Sequence, residues 1–591
     1  MPEFHAPLDD YRFMLLEVLK VEQYRDALAP YKDVDAGLID ALTAEGERLC
    51  KDVLFPLNQS GDKEGASIKN GVVFTPKGFK EAYRAYCDGG WAGFSCKAEY
   101  GGQGLPEALN MPITEMICSA NLAFGITPAL THGAYNALYL HGSDALKQEY
   151  LPKLASGEHT GTMCLTEAHC GTDLGLIRTT ATPREGGGYL VNGNKMFISG
   201  GDHDWTDNIV HMVLAKLPDA PEGSKGISLF LVTKYANEKP NGVTCVSLEE
   251  KMGIHASPTC VMEFKNAVGH LVGKPHEGLK AMFTMMNEAR IYVGVQGLGL
   301  AEIARRQAVA YAKERLQGRG LDGVKNPDKK ADPITAHPDV RRMLLTMRSF
   351  CESARMLALY AALRVDISKH HSDEKTQRRS DDFIQFATPV IKAYMTDMGF
   401  ECANLAMQVF GGHGYVREYG VEQYVRDARI AQIYEGANGI QALDLVGRKL
   451  VKSGGRYLRP FFHDAAAFVE EHRDHATLRR FTKPMYGALK SARQASMLIA
   501  MRAISDPYEA GAASYDYMRL IGCTLHGYMY CLMAKAACEA KDKGGAFSAE
   551  YYDDKIAVGR FFMDKILPEH HSLLAKIAAG GESLRVREGA L

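Results

Sequence analysis

The 591-residue chain is 46% hydrophobic and 24% charged, and it carries 69 Lys and Arg against 71 Asp and Glu. So even a balance lacks the basic surplus of a general nucleic-acid binder. Its 13 cysteines form no CxxC pair and no Cys/His cluster of zinc spacing, so reduced thiols are expected, with no metal.

Met1–Lys20 mixes Asp9, Asp10 and Glu17 with apolar residues. It has no basic stretch leading into an apolar one, so neither a secretory signal nor a transit peptide is expected. No run reaches about 18 uninterrupted apolar residues, so no spanning helix is expected. The expected location is the bacterial cytoplasm. Residues 1–160 read as helical, because Leu38–Leu54 and Ala108–Ser119 place apolar residues three and four apart. Clustered glycines make Glu99–Gly104 a loop.

Residues 161–275 read as a small antiparallel β-domain. Tyr189–Val191 and Lys195–Ser199 flank Asn192-Gly193, a hairpin signal. Ile209–Ala215 and Ile227–Thr233 are further short strands, and Asn241-Gly242 marks another turn. Residues 276–455 return to long helices: Leu279–Leu316, Asp339–Leu363 and Phe383–Val409. Gly318–Pro338, rich in Gly, Pro, Lys and Asp, is an exposed excursion between the first two. Residues 456–591 add a helical extension that includes Met485–Ala503 and Ala512–Ala540. The extension has 19 Lys and Arg against 16 Asp and Glu, too small an excess for DNA binding. The expected fold class is mainly α with a central β-domain.

Two glycine-rich stretches do not make a Rossmann dinucleotide fingerprint. Gly411–Gly414 and Gly294–Gly299 lack the strand–turn–helix context of a dinucleotide fingerprint. Gly294–Gly299 lies within a helical pattern, where small residues let helices approach closely.

Three separated motifs carry more information. The first is Met163-Cys-Leu-Thr-Glu-Ala-His-Cys-Gly-Thr-Asp173. The second is Asn192-Gly-Asn-Lys-Met-Phe-Ile-Ser-Gly-Gly201. The third runs from Gln408-Val-Phe-Gly-Gly-His-Gly414 through Val425–Ile430 to Ile433-Tyr-Glu-Gly-Ala-Asn-Gly-Ile-Gln441. In this order and at these separations they resemble the signature segments of the acyl-CoA dehydrogenase family. Lys251–Ser257 and Glu288-Ala-Arg290 add to the likeness, which covers residues 40–450. The extension resembles the long branch of the family. Within that branch the chain is most similar to the bacterial 3-methylmercaptopropionyl-CoA dehydrogenases, whose relatives act on medium- or long-chain acyl-CoA.

The resemblance implies an N-terminal helical domain, a middle β-domain and a helical bundle. It also implies FAD, and α,β-dehydrogenation of an acyl-CoA substrate. The α hydrogen leaves as a proton and the β hydrogen as a hydride, which no side chain accepts, so a flavin must take it. Glu435, in Tyr434-Glu435-Gly436, is the implied base. Burial would raise its pKa from the ordinary value of about 4.3 towards the working range. Its own backbone N–H would hold the enolate oxygen, a donor worth about 3 kcal/mol of barrier. Read without the motif, Glu435 would simply cap the helix that begins near Ile440. A competing carboxylate, Glu288, lies one residue further from Arg290 than the base of some relatives. One residue turns a helical side chain by about 100°, so Glu288 is expected to be solvated or ion-paired.

The remaining roles are also implied by resemblance. Leu165, through its backbone, Thr166 and Ser199 would meet the flavin ring, and Phe197 would pack on it where a Trp is common. Arg315, Gln408, Gly411 and Gly412 would reach the cofactor across a subunit interface, with Asn438 near the same cofactor. Thr172, Arg290, Tyr434 and Gly436 would contact acyl-CoA. The aromatic usual after Arg315 is missing, since Gly318 follows Gln317. The implied partners are an electron-transferring flavoprotein and a second copy in a homo-oligomer, a dimer. An acyl-CoA oxidase and a non-catalytic DNA-binding flavoprotein are the alternatives.

Overall fold

The computed structural model describes residues 3–590. The chain forms two compact units. One comprises Gly46–Leu105 and Met116–Tyr292; the other comprises the chain up to Glu45, Pro106–Glu115 and the chain from Val293 onward.

The first unit is built on a seven-stranded sheet. Its strands are β1 (His159–Cys164), β2 (Thr180–Pro183), β3 (Tyr189–Ser199), β4 (Asn208–Lys216), β5 (Ile227–Thr233), β6 (Val243–Leu248) and β7 (Thr259–Val272). The spatial order is β6-β7-β3-β2-β4-β1, and β5 pairs with both β7 and β4. Strands β4 and β5 are buried along almost their whole length, so their Ile, Val and Leu runs have no polar alternation.

Two expectations change here. The sheet is mixed, because β1 runs parallel to β4 from His159↔Asn208 to Cys164↔Val213. Asn192-Gly193 is also no hairpin turn, since β3 continues through it as one strand of 11 residues. The pair instead faces an irregularity in β7 between Phe264 and Ala267. There the Asn192 Oδ1 accepts the Asn266 N–H at 2.8 Å. A Cβ on Gly193, whose φ is 152°, would lie 2.5 Å from the Thr179 Oγ1. Glycine is therefore required by close approach, not by a turn.

The second unit is helical, with α1 (Pro338–His370) and α2 (Glu374–Phe410) at its centre. The long helix Gly278–Glu314 enters it at Val293. Gly294 and Gly297 let this helix touch α2 backbone to backbone: added Cβ atoms would meet the Ile391 O at 2.9 Å and the Met395 O at 2.6 Å. The close-approach reading of these glycines holds. The extension contributes α3 (Arg459–His472), α4 (Arg479–Ser505), α5 (Pro507–Lys543), α6 (Ala549–Lys565) and α7 (Glu569–Ala579). It is continuous with the unit's core, since a Cβ on Gly522 of α5 would lie 2.4 Å from the ring of Tyr394 on α2.

Within this unit a buried ion cluster joins the extension to the preceding helices. The Arg355 guanidinium, 1% exposed, contacts Glu115, Asp10 and Glu302 at 2.6, 2.9 and 3.2 Å. Lys555 of α6 bridges Asp10 and Glu352 at 2.6 and 2.9 Å. Residues 318–338 are surface-exposed, as expected, but ordered around one buried carboxylate. Asp332 accepts the N–H groups of Gly320, Lys325 and Asn326 and a guanidinium N–H of Arg319. Among the described residues, one helical segment, Glu107–His141, which kinks at Asn121, is long and apolar enough to cross a membrane, and 78% of its apolar window is buried inside the protein.

Candidate active site

The candidate residues fall into one set in each unit. In the sheet unit, β1 ends at Cys164 and leads into buried Leu165 and half-buried Thr166. This segment is tied to β3 by backbone and side chain. The Thr166 carbonyl accepts the Met196 N–H at 2.8 Å. Fully buried Lys195 donates to the Leu165 carbonyl and to the Glu167 Oε1, each at 3.0 Å. Glu167 also accepts from the Arg178 and Thr179 N–H groups and the Thr179 hydroxyl. Burial opposes its ionisation, but the Lys195 ammonium and these donors overcome burial and hold its carboxyl at about 2. The Lys195–Glu167 pair was missed in the sequence. Its signal was a lysine at an inward position of a strand, beside a motif that carries a carboxylate.

Phe197 lies on a β-bulge. Cys260 pairs with Ile198 and Met262 with Lys195, so Met196 and Phe197 together oppose Val261. The bulge gives Phe197 a φ of 59°, and the side chain is turned outward with 58% of the residue exposed. Bulges re-aim side chains next to active sites, and a non-glycine residue in this region costs on the order of 1–3 kcal/mol. Ser199, two residues on, is half-buried, and Thr172 is exposed. Arg290 is 8% exposed, donates to the Asn287 Oδ1 at 3.1 Å and lies over the Phe283 ring. Glu288 is partnered rather than solvated, with its carboxylate 2.6 Å from the His132 Nδ1.

In the helical unit, a short loop separates the turn Ile430–Gln432 from the helix Asn438–Asp444. Glu435 has φ 55° and Gly436 has φ 87°. Two successive left-handed residues form a tight corner that glycine accepts and glutamate strains to make. Glu435 does not cap the following helix, whose N-cap is Ala437 with no side-chain bond. The corner is pinned from three sides. The Tyr434 hydroxyl donates to the Gln296 Oε1. Gln441 donates to the carbonyls of Glu435 and Gly436, each at 3.3 Å. The Asn438 amide bonds the Ala393 carbonyl, Thr396, Asp397 and Lys392. Gln441 ends the third motif, and its role as a brace depends on tertiary geometry.

Gln408, Gly411 and Gly412 lie exposed at and just beyond the end of α2, and Arg315 is exposed just beyond its own helix. Added Cβ atoms at Gly411 and Gly412 would meet nothing within 4 Å, and Gly411 has φ 58°. The turn is anchored by residues the motif reading passed over. Tyr311 stacks on Phe410 at 4.2 Å, and its hydroxyl meets the His413 Nδ1 at 2.8 Å.

These features fit FAD. A flat ring needs an exposed aromatic face and nearby hydroxyls, which Phe197, Ser199 and Thr166 offer. A bulky cofactor half needs bare backbone, which Gly411 and Gly412 present. Beside the Glu435 corner, the Gln441 Oε1 is buried with no hydrogen-bond donor among the described residues, and a hydroxyl of a bound group would satisfy it.

Comparison with known proteins agrees with this reading. Family descriptions match in sequence: acyl-CoA dehydrogenase, N-terminal domain at residues 62–158; middle domain at 162–267; C-terminal domain at 276–450; and acetyl-CoA dehydrogenase C-terminal like at 461–585. The 3-methylmercaptopropionyl-CoA dehydrogenase of Ruegeria pomeroyi is 41% identical over 98% of this chain and 99% of its own. A butyryl-CoA dehydrogenase of Syntrophomonas wolfei is 33% identical over 95% of this chain and 94% of its own. The crystal structure of an acyl-CoA dehydrogenase complexed with FAD from Bacillus anthracis shares the fold, with a TM-score of 0.75 at 22% identity over 93% of this chain and 89% of that one. The chain therefore belongs to the acyl-CoA dehydrogenase family and is an FAD-dependent oxidoreductase.

Proposed function

We propose that the enzyme dehydrogenates 3-methylmercaptopropionyl-CoA across its α and β carbons, with Glu435 as the base. The left-handed backbone of Glu435 supports the assignment of the base: it strains a glutamate where glycine would be unstrained, inside the Tyr-Glu-Gly motif. The Ruegeria relative, similar along its whole length, supports the thioether substrate. The Syntrophomonas relative keeps a plain short acyl chain as the second reading.

In this mechanism the Glu435 carboxylate takes the α proton, and its own N–H holds the enolate oxygen. FAD, when bound, supplies a hydride acceptor for the β hydrogen. Leu165 through its backbone, Thr166 and Ser199 would hold the flavin ring, and Phe197 would pack against it. Arg315, Gln408, Gly411 and Gly412 would hold the distal half of a neighbouring subunit's cofactor, and Asn438 would serve the same group through its main chain, since its amide is taken. Thr172, Arg290, Tyr434 and Gly436 position the acyl-CoA. The cross-subunit roles require a homo-oligomer, which we take to be a dimer. The electron acceptor is an electron-transferring flavoprotein, and the compartment is the bacterial cytoplasm. Residues 1–160, 161–275, 276–455 and 456–591 are the proposed functional domains.

Anaerobic flavin bleaching with 3-methylmercaptopropionyl-, butyryl- and octanoyl-CoA tests the substrate: the thioether should bleach fastest, and an equal or faster octanoyl reaction would reject it. Glu435→Gln should slow bleaching at least about a hundredfold with FAD retained. If Glu288→Gln does so instead, the base is misassigned. Peroxide formed in stoichiometric yield with oxygen would point to an oxidase, and a tetrameric mass would reject the dimer.

A further inference from the structure

Glu288, set aside as a base for dehydrogenation, belongs to a second ordered set of groups. Its Oε1 lies 2.6 Å from the His132 Nδ1. The other ring nitrogen, His132 Nε2, lies 2.8 Å from the Ser95 Oγ. The Asn136 amide, one helical turn beyond His132, donates to both Glu288 oxygens at 2.8 and 2.7 Å and fixes the carboxylate. A carboxylate on Nδ1 keeps the imidazole proton there and leaves the Nε2 lone pair facing the serine hydroxyl. Chemistry by acyl transfer needs this order of nucleophile, base and orienting acid, whatever the sequence order.

The serine is held in place. The turn that carries it is braced by the Gln103 N–H on the Gly93 carbonyl at 2.9 Å and the Leu105 N–H on the Phe94 carbonyl at 3.1 Å. The Tyr135 hydroxyl accepts the Lys97 N–H at 3.0 Å and ties the turn to the helix of His132. Ser95 is half-buried, and the His132 side chain is 10% exposed, enough shelter to keep the relay from bulk water.

We propose that Ser95, His132 and Glu288 form a nucleophile, base and orienting acid that hydrolyse acyl thioesters, an activity separate from dehydrogenation. The Ser95 Oγ attacks the thioester carbonyl carbon and its proton passes to the His132 Nε2. The C–S bond breaks, and the imidazolium returns that proton to the leaving thiolate. Water, deprotonated by the same nitrogen, then attacks the carbonyl carbon of the serine ester; the C–O bond to Ser95 breaks, and the imidazolium returns the proton to the Ser95 Oγ. The sum is thioester plus water giving carboxylic acid plus thiol, with no change of oxidation state. Ser95 and His132 would be catalytic; Glu288 and Asn136 would be positioning residues.

The test uses the holoenzyme with butyryl-CoA, without oxygen or electron acceptor, and follows free thiol. Steady release is expected, lowered at least about tenfold in Ser95→Ala and His132→Gln. Dehydrogenation by Ser95→Ala should stay within about twofold of wild type. Thiol release should survive in Glu435→Gln, so failure here and failure of the proposed base are distinguishable. A fluorophosphonate probe on the wild-type holoenzyme should label Ser95, located by peptide mass, and label it more slowly in Glu288→Gln. Thiol release unchanged in Ser95→Ala overturns the proposal. So does a wild-type Ser95 that stays unlabelled, or one that is labelled while no thiol appears.

Discussion

Gln441 offers a direct way to ask whether the strained corner at Glu435 matters for turnover. Its side chain is 1% exposed and donates to the carbonyls of Glu435 and Gly436. Those two residues have φ of 55° and 87°. Gln441→Leu keeps the bulk but removes both bonds. Each contributes about 1 kcal/mol net, and the left-handed glutamate stores roughly 1–3 kcal/mol that the bonds help to hold. Losing about 2 kcal/mol of bracing lets the corner relax, and the carboxylate and N–H leave their working positions together. At 1.4 kcal/mol per factor of ten, kcat should fall about ten- to a hundredfold. Steady-state turnover with saturating acyl-CoA and an artificial acceptor measures this, with FAD content determined on the same sample. If kcat stays within about twofold at equal FAD content, the corner needs no brace and the reasoning fails.

Three further outcomes follow from the same geometry. Phe197→Asn places at the φ of 59° a residue that tolerates it; the folding midpoint should not drop, while FAD affinity falls up to about tenfold with the lost ring stack. Arg355→Met strands Glu115 beside a site 1% exposed, while Asp10 keeps Lys555, and should cost about 3–5 kcal/mol in denaturant unfolding; a loss under about 1 kcal/mol would contradict the cluster's role. Burial, with the Glu107 charge adding to it, lifts the Asp366 carboxyl from 3.8 to about 7. The folded state thus keeps a proton that the unfolded chain releases near 3.8, so this group's contribution is greatest below that pH and declines as the pH rises to about 7. Thermal midpoints of Asp366→Asn should fall less steeply than wild type over that window, and parallel slopes would rule the linkage out.

The order of helices, strands and helices was legible in the sequence, because apolar spacing is a local property that survives in any tertiary context. The close contacts of Gly294 and Gly297 were legible too, since small residues inside a helical pattern have few other uses. The motif segments marked which stretches to watch, and Glu435 lies in one. Features that depend on a partner far along the chain were not legible. Asn192-Gly193 has the composition of a turn, yet the strand runs through it because β7 supplies an irregularity and Thr179 crowds the glycine. The parallel pairing of β1 with β4 could not be read from two strands about 50 residues apart. The left-handed backbone of Phe197 and Glu435 was equally hidden, since neither residue type favours it. It exists because a bulge and a pinned corner impose it. Ser95, His132 and Glu288 are separated by 37 and 156 residues, and only the packing of three segments brings their polar atoms within hydrogen-bond reach. The sequence by itself determined which elements form and which residues can do chemistry. The tertiary structure decided which are strained, which are braced and which face one another.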